Sequence, residues 1–245
     1  MTEESNNNTP DQGNALSISV FFPCYNEAGS IEKLVEKTVD MMEKLSADYE
    51  IIIVDDGSTD QTNQIAGKLT NTNERIRMVT HQTNAGYGTA LRSGFNAATK
   101  ELIFYTDGDA QFDIEELNGI LPMIGNCDIV SCFRLQRCEG LVRKLNAWCW
   151  GKLVCILFAM DLRDIDCAFK LYKRSIFENI DIKSTGALID TEILARAIRK
   201  GYTVTQHGVH HYPRTHGRQT GAKLSVIITA FKELFKLRRE ILRDK

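Results

Sequence analysis

What most constrains this chain is the way its apolar runs end. Ile51-Ile52-Ile53-Val54 has no helical spacing, and it leads directly into Asp55-Asp56-Gly57-Ser58-Thr59-Asp60. A short apolar run bounded by a Gly- and Asp-bearing turn reads as a buried strand, here residues 49–54. The pattern recurs along the sequence. Residues 17–22 form a strand stopped by Pro23, and further strands are expected at 75–80, 102–106 and 128–132. Helices fall between them. Residues 28–45 set Ile31, Leu34, Val35, Thr38, Val39, Met42 and Leu45 on one face; Thr59 or Asp60 caps a helix running to about Leu69; 88–99 and 113–124 are also helical. Strands alternating with helices at this spacing predict an α/β fold: a mostly parallel central sheet with helices on both faces.

In such a sheet, ligands bind in the crevice beyond the carboxyl ends of the strands. The polar turns gather there: PCYNE at 23–27, DDGSTD at 55–60, HQTNAGYG at 81–88 and DGDAQFD at 107–113. One such turn is explained by a helix cap; four on one edge describe a site. Asp107, Asp109 and Gln111 are spaced by two, so on extended chain their side chains point the same way and can converge on one divalent cation. Oxygen ligands without His or Cys favour Mg2+ or Mn2+ over zinc, and two such close carboxylates repel each other without a cation between them. Asp113 is read as the cap of the next helix. Arg134 follows an apolar strand and Arg214 a proline turn; guanidinium groups beside a bound cation make sense with an anion between, and a diphosphate fits. Arg137 and Arg143 read as solvated surface.

Other classes are set aside. The 245 residues suffice for one large α/β domain, and a formal net charge of −2 provides no global basic field for nucleic acid. NAGYGTALRSG at 84–94 has Leu91 where a dinucleotide fingerprint needs its third glycine, and no Walker A or Gly-x-Ser-x-Gly pattern occurs. Strand alternation would send His210 and His211 to opposite faces, so the group with His207 and His216 is read as a polar strand end leading to an anion-binding loop, not as a metal cluster. Seven cysteines without a Cys-x-x-Cys pair read as buried free thiols in a reducing compartment. The polar amino terminus, residues 1–15, has no signal-peptide pattern and reads as a disordered tail.

These residues, taken in order, resemble family 2 glycosyltransferases of the GT-A (Rossmann-like) fold, and within them the dolichol-phosphate mannosyltransferase-like branch that glycosylates polyprenyl phosphates. The likeness runs over roughly residues 17–220 and includes PCYNE, VDDGSTD, DGDAQFD, DIVSCFR with Arg134, RDIDCAFKLYKRSIF at 163–177 and GALIDTEILARAIRKGY at 186–202. It implies that Pro23, Tyr25, Glu27, Val54 and Asp56 line a nucleotide pocket, with a carboxylate placed to accept hydrogen bonds from base or ribose. It implies also that Asp107, Gly108 and Asp109 meet the diphosphate, with Asp107, Asp109 and Gln111 around Mg2+ or Mn2+, and that Arg134 and Arg214 hold phosphate groups. Departures are Ala168 for the family's glycine, Lys170 for its arginine, and Leu188 for a lysine of some relatives. Gly217-Arg218-Gln219-Thr220 stands where a Gly-x-Ser-Lys-like element is usual, which gives Arg218 a phosphate-binding role.

The implied reaction is a metal-dependent, inverting transfer of a sugar from a GDP- or UDP-linked donor to a polyprenyl (dolichyl or undecaprenyl) phosphate. An alternative keeps the donor and moves the sugar to a soluble or glycan hydroxyl, which needs a base; Asp164, Asp190 and Glu192 are the candidates. A nucleotidyltransferase would want a Gly-rich loop after the first strand, and a nucleotide-sugar sensor would have a degraded metal motif. The transferase domain is placed at 16–221 and a basic amphipathic helix at 222–245, its stripe running from Ile227 to Leu242 with Lys232, Lys236, Arg238, Arg239 and Arg243 beside it. Such a helix can lie on an anionic membrane surface, with 145–160, carrying Trp148 and Trp150, as a second wedge. The opposing reading packs both helices on the core or on another subunit. The expected location is the cytoplasm, peripheral on the cytoplasmic face of a membrane, with a homo-oligomer or a separate membrane subunit left open.

Overall fold

The computed structural model of the chain describes residues 16–136, 141–214 and 224–243. Seven strands form one sheet: β1 Ser17–Cys24, β2 Asp48–Asp55, β3 Ile76–Thr80, β4 Leu102–Thr106, β5 Ile129–Arg134, β6 Phe169–Lys173 and β7 Val204–Val209, in the order β3-β2-β1-β4-β6-β5-β7. Neighbours run parallel except at β6, which is antiparallel to both β4 and β5. The expected mixed α/β sheet is therefore present, with one strand inserted backwards. That reversal matters for the site. The parallel strands deliver their carboxyl ends to one edge, and β6 brings its amino end there, so the 163–168 segment joins the same edge.

The central strands are buried on both faces, which is why they read as continuous apolar runs: Val20, Phe21, Phe22, Ile51, Ile52, Ile53 and Val54 are all 0% exposed. Helix α1, Ile31–Lys44, covers the sheet with Ile31, Leu34, Val35, Thr38, Met41 and Met42. Leu45, expected on that face, is the C-cap and stays exposed. Helix α2, Thr62–Thr72, starts beyond Asp60, whose Oδ1 accepts the Thr62 N–H at 2.9 Å. Helix α3 is Tyr87–Ala97. The expected helix over 113–124 is broken into a 3-10 turn Ile114–Glu116, a single α turn Leu117–Ile120 (α4) and a second 3-10 stretch Leu121–Asn126. Pro122 has no N–H to give, and Gly119 and Gly125 weaken what surrounds it. Asp113 caps this segment as expected, accepting the Glu115 N–H at 3.1 Å and pairing with Lys37 at 2.8 Å.

Beyond β5 come α5 (Leu141–Phe158), α6 (Ser175–Asn179), α7 (Ile189–Arg199) and α8 (Leu224–Arg243). On α8, Leu234, Leu237 and Ile241 are buried, while Phe231, Phe235 and Leu242 remain exposed. Trp150 of α5 meets Phe231 edge-to-face at 5.2 Å, and the Arg238 Nε donates to the Leu157 carbonyl at 3.0 Å. Part of the stripe thus packs on the protein. Among the described residues no helix is long and apolar enough to cross a membrane. The described cysteines are free; Cys24, Cys127, Cys132, Cys155 and Cys167 are buried, whereas Cys149 is exposed, against the expectation that all would be inside, and Cys138 lies outside the described residues.

Candidate functional site

At the end of β2, the two adjacent carboxylates have partners from the protein itself. Asp55 accepts the Ser58 N–H at 3.0 Å and the Asn63 Nδ2 at 2.8 Å. Asp56 lies 2.6 Å from His81 Nδ1 and accepts the Ala85 and Gly86 N–H groups, each at 2.9 Å. A carboxylate has roughly four lone-pair positions, so Asp56 is largely saturated. It pins the 81–86 turn to β2, with most of its lone pairs taken by protein partners. Gly57 allows this closeness: its φ is +70°, and a Cβ there would overlap the Thr83 backbone. Val54 is 0% exposed and Pro23 is also buried, so neither side chain offers a binding surface; Tyr25, 40% exposed, does.

The β4 end is built by clamping. Gly108 N–H donates to the Pro23 carbonyl at 3.2 Å, Ser30 Oγ donates to the Gly108 carbonyl at 2.7 Å, and a Cβ at 108 would overlap Cys24 Sγ. The Asp107–Asp109 turn is therefore held hard against β1. It is not the extended chain assumed from the spacing, because Ala110 takes φ +55° and turns the backbone. Gln111 consequently faces the β7 side, where its Nε2 donates to the Tyr212 carbonyl at 2.9 Å, and its N–H donates to Asp109 Oδ1 at 3.1 Å. Asp107 accepts the Tyr87 hydroxyl at 3.1 Å. Loss of water and then the charge of Asp109 push the Asp107 carboxyl up to about 8. Two carboxylates sharing a crowded turn with their charges unbalanced form a donor set that suits a hard divalent cation. Among the described residues no three His, Cys, Asp or Glu side chains gather around one point. Mg2+ commonly binds through one or two carboxylates, with water and substrate phosphate completing its shell, so the residues present fit such a group.

Arg214 lies across from this turn. Its Nη2 pairs with Glu27 and stands 4.0 Å from Asp109 Oδ2, while its Nε is buried without a partner among the described residues. Burial raises the Glu27 carboxyl above its usual range even with Arg214 beside it. Glu27 thus serves first as the counter-charge that orients Arg214.

The β5 end departs further from expectation. Arg134 sends Nε and Nη2 to the two oxygens of Asp164 at 2.7 and 2.8 Å, a buried bidentate pair. Its fork faces Asp164 and not an open phosphate site, and Asp164 is correspondingly no open base. Asp190 is buried against Lys170 Nζ at 3.0 Å and accepts the Tyr105 hydroxyl. Lys170, 0% exposed, also donates to the Cys167 carbonyl. Glu192 accepts the Lys183 and Ser184 N–H groups at 3.1 and 2.6 Å and the Arg196 Nε at 2.8 Å, tying a loop to α7. Each of the three carboxylates considered as a base is thus occupied.

One carboxylate escaped the sequence reading. Asp166 is exposed at the amino end of β6, with no hydrogen bond or ion pair to any described residue. It is reached by solvent yet crowded by protein, and this, followed by the charge of Asp190, pushes its carboxyl up to about 6. The available signal was the alternation in Arg163-Asp164-Ile165-Asp166, which sets two acids side by side before a strand. Among the histidines, His210 pairs with Glu116 and His211 bridges to Phe112, with no metal cluster among the described residues. Arg137, His216 and Arg218 lie outside the described residues, as does the side chain of Arg143.

Comparison with known proteins agrees with this architecture. Solved structures show the same fold: mannosyl-3-phosphoglycerate synthase of Rubrobacter xylanophilus (TM-score 0.71, 18% identity, 94% of this chain and 76% of that one), and glucosyl-3-phosphoglycerate synthase of Mycobacterium tuberculosis, crystallised with Mn2+, UDP-glucose and phosphoglyceric acid (TM-score 0.63, 19% identity, 93% and 77%). By sequence the chain is 34% identical over 209 residues to the glycosyltransferase AglD of Haloferax volcanii, covering 81% of this chain. It is 29% identical over 220 residues to the dodecaprenyl-phosphate galacturonate synthase of Rhizobium johnstonii, covering 88% of this chain. The chain spans only 34% and 65% of those two relatives' lengths. The family model for glycosyl transferase family 2 matches residues 19–181, from β1 through α6, and the chain belongs to that family.

Proposed function

We propose that this protein transfers a sugar from a nucleoside diphosphate sugar to a polyprenyl phosphate at a membrane surface, with inversion at the sugar's anomeric carbon. The observation that carries the reading is the unbalanced charge of Asp107 and Asp109 beside Arg214, whose buried Nε has no partner among the described residues. A cation and a diphosphate would complete both. The relatives' names support the acceptor class, one of them being a dodecaprenyl-phosphate galacturonate synthase.

In the reaction, the bond from the anomeric carbon to the diphosphate oxygen breaks as a bond from the acceptor phosphate oxygen forms on the opposite face. The electron pair leaves with the nucleoside diphosphate. Asp107 and Asp109 would hold Mg2+ or Mn2+, which supplies charge neutralisation for that leaving group when bound. Arg214 adds a fixed guanidinium, held in place by Glu27, where negative charge develops. Tyr87 orients Asp107 by its hydroxyl, and Asp56 keeps the 81–86 wall rigid. A phosphate acceptor is already anionic near neutral pH and needs no base, consistent with Asp164, Asp190 and Glu192 all being paired. Arg134 would act through Asp164, fixing the β6 approach, and Arg218 would contact phosphate from the segment after Arg214.

For the membrane, Trp148 and Ile156 on α5 and Phe231, Phe235 and Leu242 on α8 are exposed, 61%, 77%, 40%, 56% and 50% respectively, among the lysines and arginines of α8. Apolar side chains interleaved with cations suit an anionic lipid interface. The test is release of nucleoside diphosphate from a panel of UDP- and GDP-sugars with Mg2+ or Mn2+, with and without polyprenyl phosphate on anionic vesicles. Release that depends on the polyprenyl phosphate supports the reading; release driven equally by a soluble hydroxyl acceptor refutes it.

A further inference from the structure

Of the carboxylates described at the strand-end edge, Asp166 stands apart. Asp55 and Asp56 hold backbone amides, Glu27 holds Arg214, Asp164 holds Arg134, and Asp190 holds Lys170. Asp166 has no such partner among the described residues and is open to solvent. Its position follows from topology. It lies three residues before β6, whose Phe169 pairs with Thr106 at the very end of β4. It is thus delivered next to the Asp107 turn, from the side opposite β1. Its electrostatic neighbours agree: its charge is felt at the Tyr87 hydroxyl, which donates to Asp107, and Asp166 in turn feels Asp190, Lys170, Asp164 and Arg134.

The flanks of the Asp107 turn differ in chemistry. On the β1–β2 side are Tyr25 and Glu27 with Arg214; on the β6–β5 side is an open carboxylate backed by two ion pairs, Arg134–Asp164 and Lys170–Asp190. With its cations already engaged by acids, that second side offers a diphosphate little. A group rich in O–H donors would be drawn to it, because an exposed carboxylate offers lone pairs in fixed positions.

Resting on the function proposed above, we infer that Asp166 is a specificity-determining residue that accepts hydrogen bonds from hydroxyl groups of the transferred sugar and selects neutral sugars over uronic acids. Its tendency to take up a proton near pH 6 is the expected cost of crowding a carboxylate that has no protein donor, a cost that sugar hydroxyls would relieve. The groups facing it, Tyr87 from α3, Asp190 from α7, Lys170 from β6 and the Arg134–Asp164 pair at the β5 end, carry no free cation among the described residues that could welcome a sugar carboxylate.

The test is calorimetric titration of the full chain, with Mn2+ present, by UDP, UDP-glucose and UDP-glucuronate, and by GDP, GDP-mannose and GDP-mannuronate. Whichever nucleoside diphosphate binds defines the series. Wild type should bind the neutral sugar nucleotide about tenfold or more tightly than the uronate. Asp166→Asn should reduce that ratio to within about twofold, and Asp166→Ala should behave likewise, with affinity for the bare nucleoside diphosphate unchanged in both. Exposed Asp166 makes unfolding an unexpected outcome, and a melting curve for each variant checks it. A discrimination ratio equal in wild type and variants overturns the inference. A loss of turnover beyond about 10³-fold in Asp166→Asn with the ratio intact also overturns it, since that is the behaviour of a general base. No binding of either bare nucleoside diphosphate would refute the donor reading itself, a result separate from the other two.

Discussion

The two edges of this sheet treat carboxylates in opposite ways. At the edge away from the strand-end loops, Asp128 accepts the Thr203 N–H at 2.9 Å, the Thr203 hydroxyl at 2.8 Å and the Lys173 ammonium at 3.0 Å, and these donors hold its carboxyl down to about 2. At the loop edge, lost water and the charge of Asp109 push Asp107 up to about 8, and the surrounding protein with the charge of Asp190 pushes the solvent-reached Asp166 up as well. A chain selected only for stability would have no reason to keep the second arrangement. Unrelieved charge at one edge of an otherwise satisfied sheet marks the place where a ligand supplies what the protein withholds. The first edge is a fastening and the second is a site.

That contrast can be broken by removing Lys170, a fully buried cation behind the loop edge. Lys170→Met leaves Asp190 charged and unpaired inside the protein, and should cost about 3–5 kcal/mol in chemical denaturation. Lys170→Arg should recover part of it, since it keeps a positive charge beside Asp190. A loss under about 1 kcal/mol for Lys170→Met would mean that Asp190 is neutral in the folded protein. Next in size is Asp109→Asn. It removes the charge that raises Asp107, so turnover should drop by about 10²–10³-fold while the melting temperature holds or rises. Equal damage to both would reduce Asp109 to a structural residue.

The middle case is Asp56, on the loop edge but saturated like the far edge. Asp56→Ala strips the partner from His81 Nδ1 and from two backbone N–H groups, and should destabilise by roughly 2–4 kcal/mol while weakening nucleotide binding through the displaced 81–86 turn. Retention of full stability would place Asp56 among the ligand-facing acids after all. The smallest effect belongs to Asp128. Its carboxyl is lower in the folded protein than in the unfolded chain, so its contribution is complete above about pH 4 and disappears as pH falls through about 2. Asp128→Asn should therefore cost about 1 kcal/mol at neutral pH and nothing near pH 2, measured by urea unfolding at the two pH values.

Much of this was legible in the residues alone. Apolar runs ending in polar turns gave β1 to β5, because a strand buried on both faces reads as a continuous apolar run; β6 and β7, shorter on apolar signal, were not read from the sequence. The site edge was legible too, since parallel strands must send their ends one way. What could not be read was which charges the protein keeps for itself. Asp56 and Asp109 are both acids in Gly-bearing turns, yet one meets two amides and a histidine and the other meets a second acid. That depends on where the 81–86 and 107–111 backbones pass, and these paths turn on Gly57 and Ala110 at positive φ. Arg134 and Asp164 lie thirty residues apart in sequence and meet only because β6 runs backwards. The same reversal brings Asp166 to the site. The division of α8 into a packed and an open face is likewise tertiary: its periodicity fixes a stripe, not what covers it.

The unbalanced acids of the β4 turn are the centre of the proposed site. Their test is the thermal midpoint of the protein with Mn2+ alone, with UDP or GDP alone, and with both together. The account predicts a rise of several degrees with metal and one of the two nucleotides combined, a much smaller rise with either alone, and no combined effect in Asp109→Asn. An equal combined rise in Asp109→Asn, or none in the wild-type protein, would contradict it.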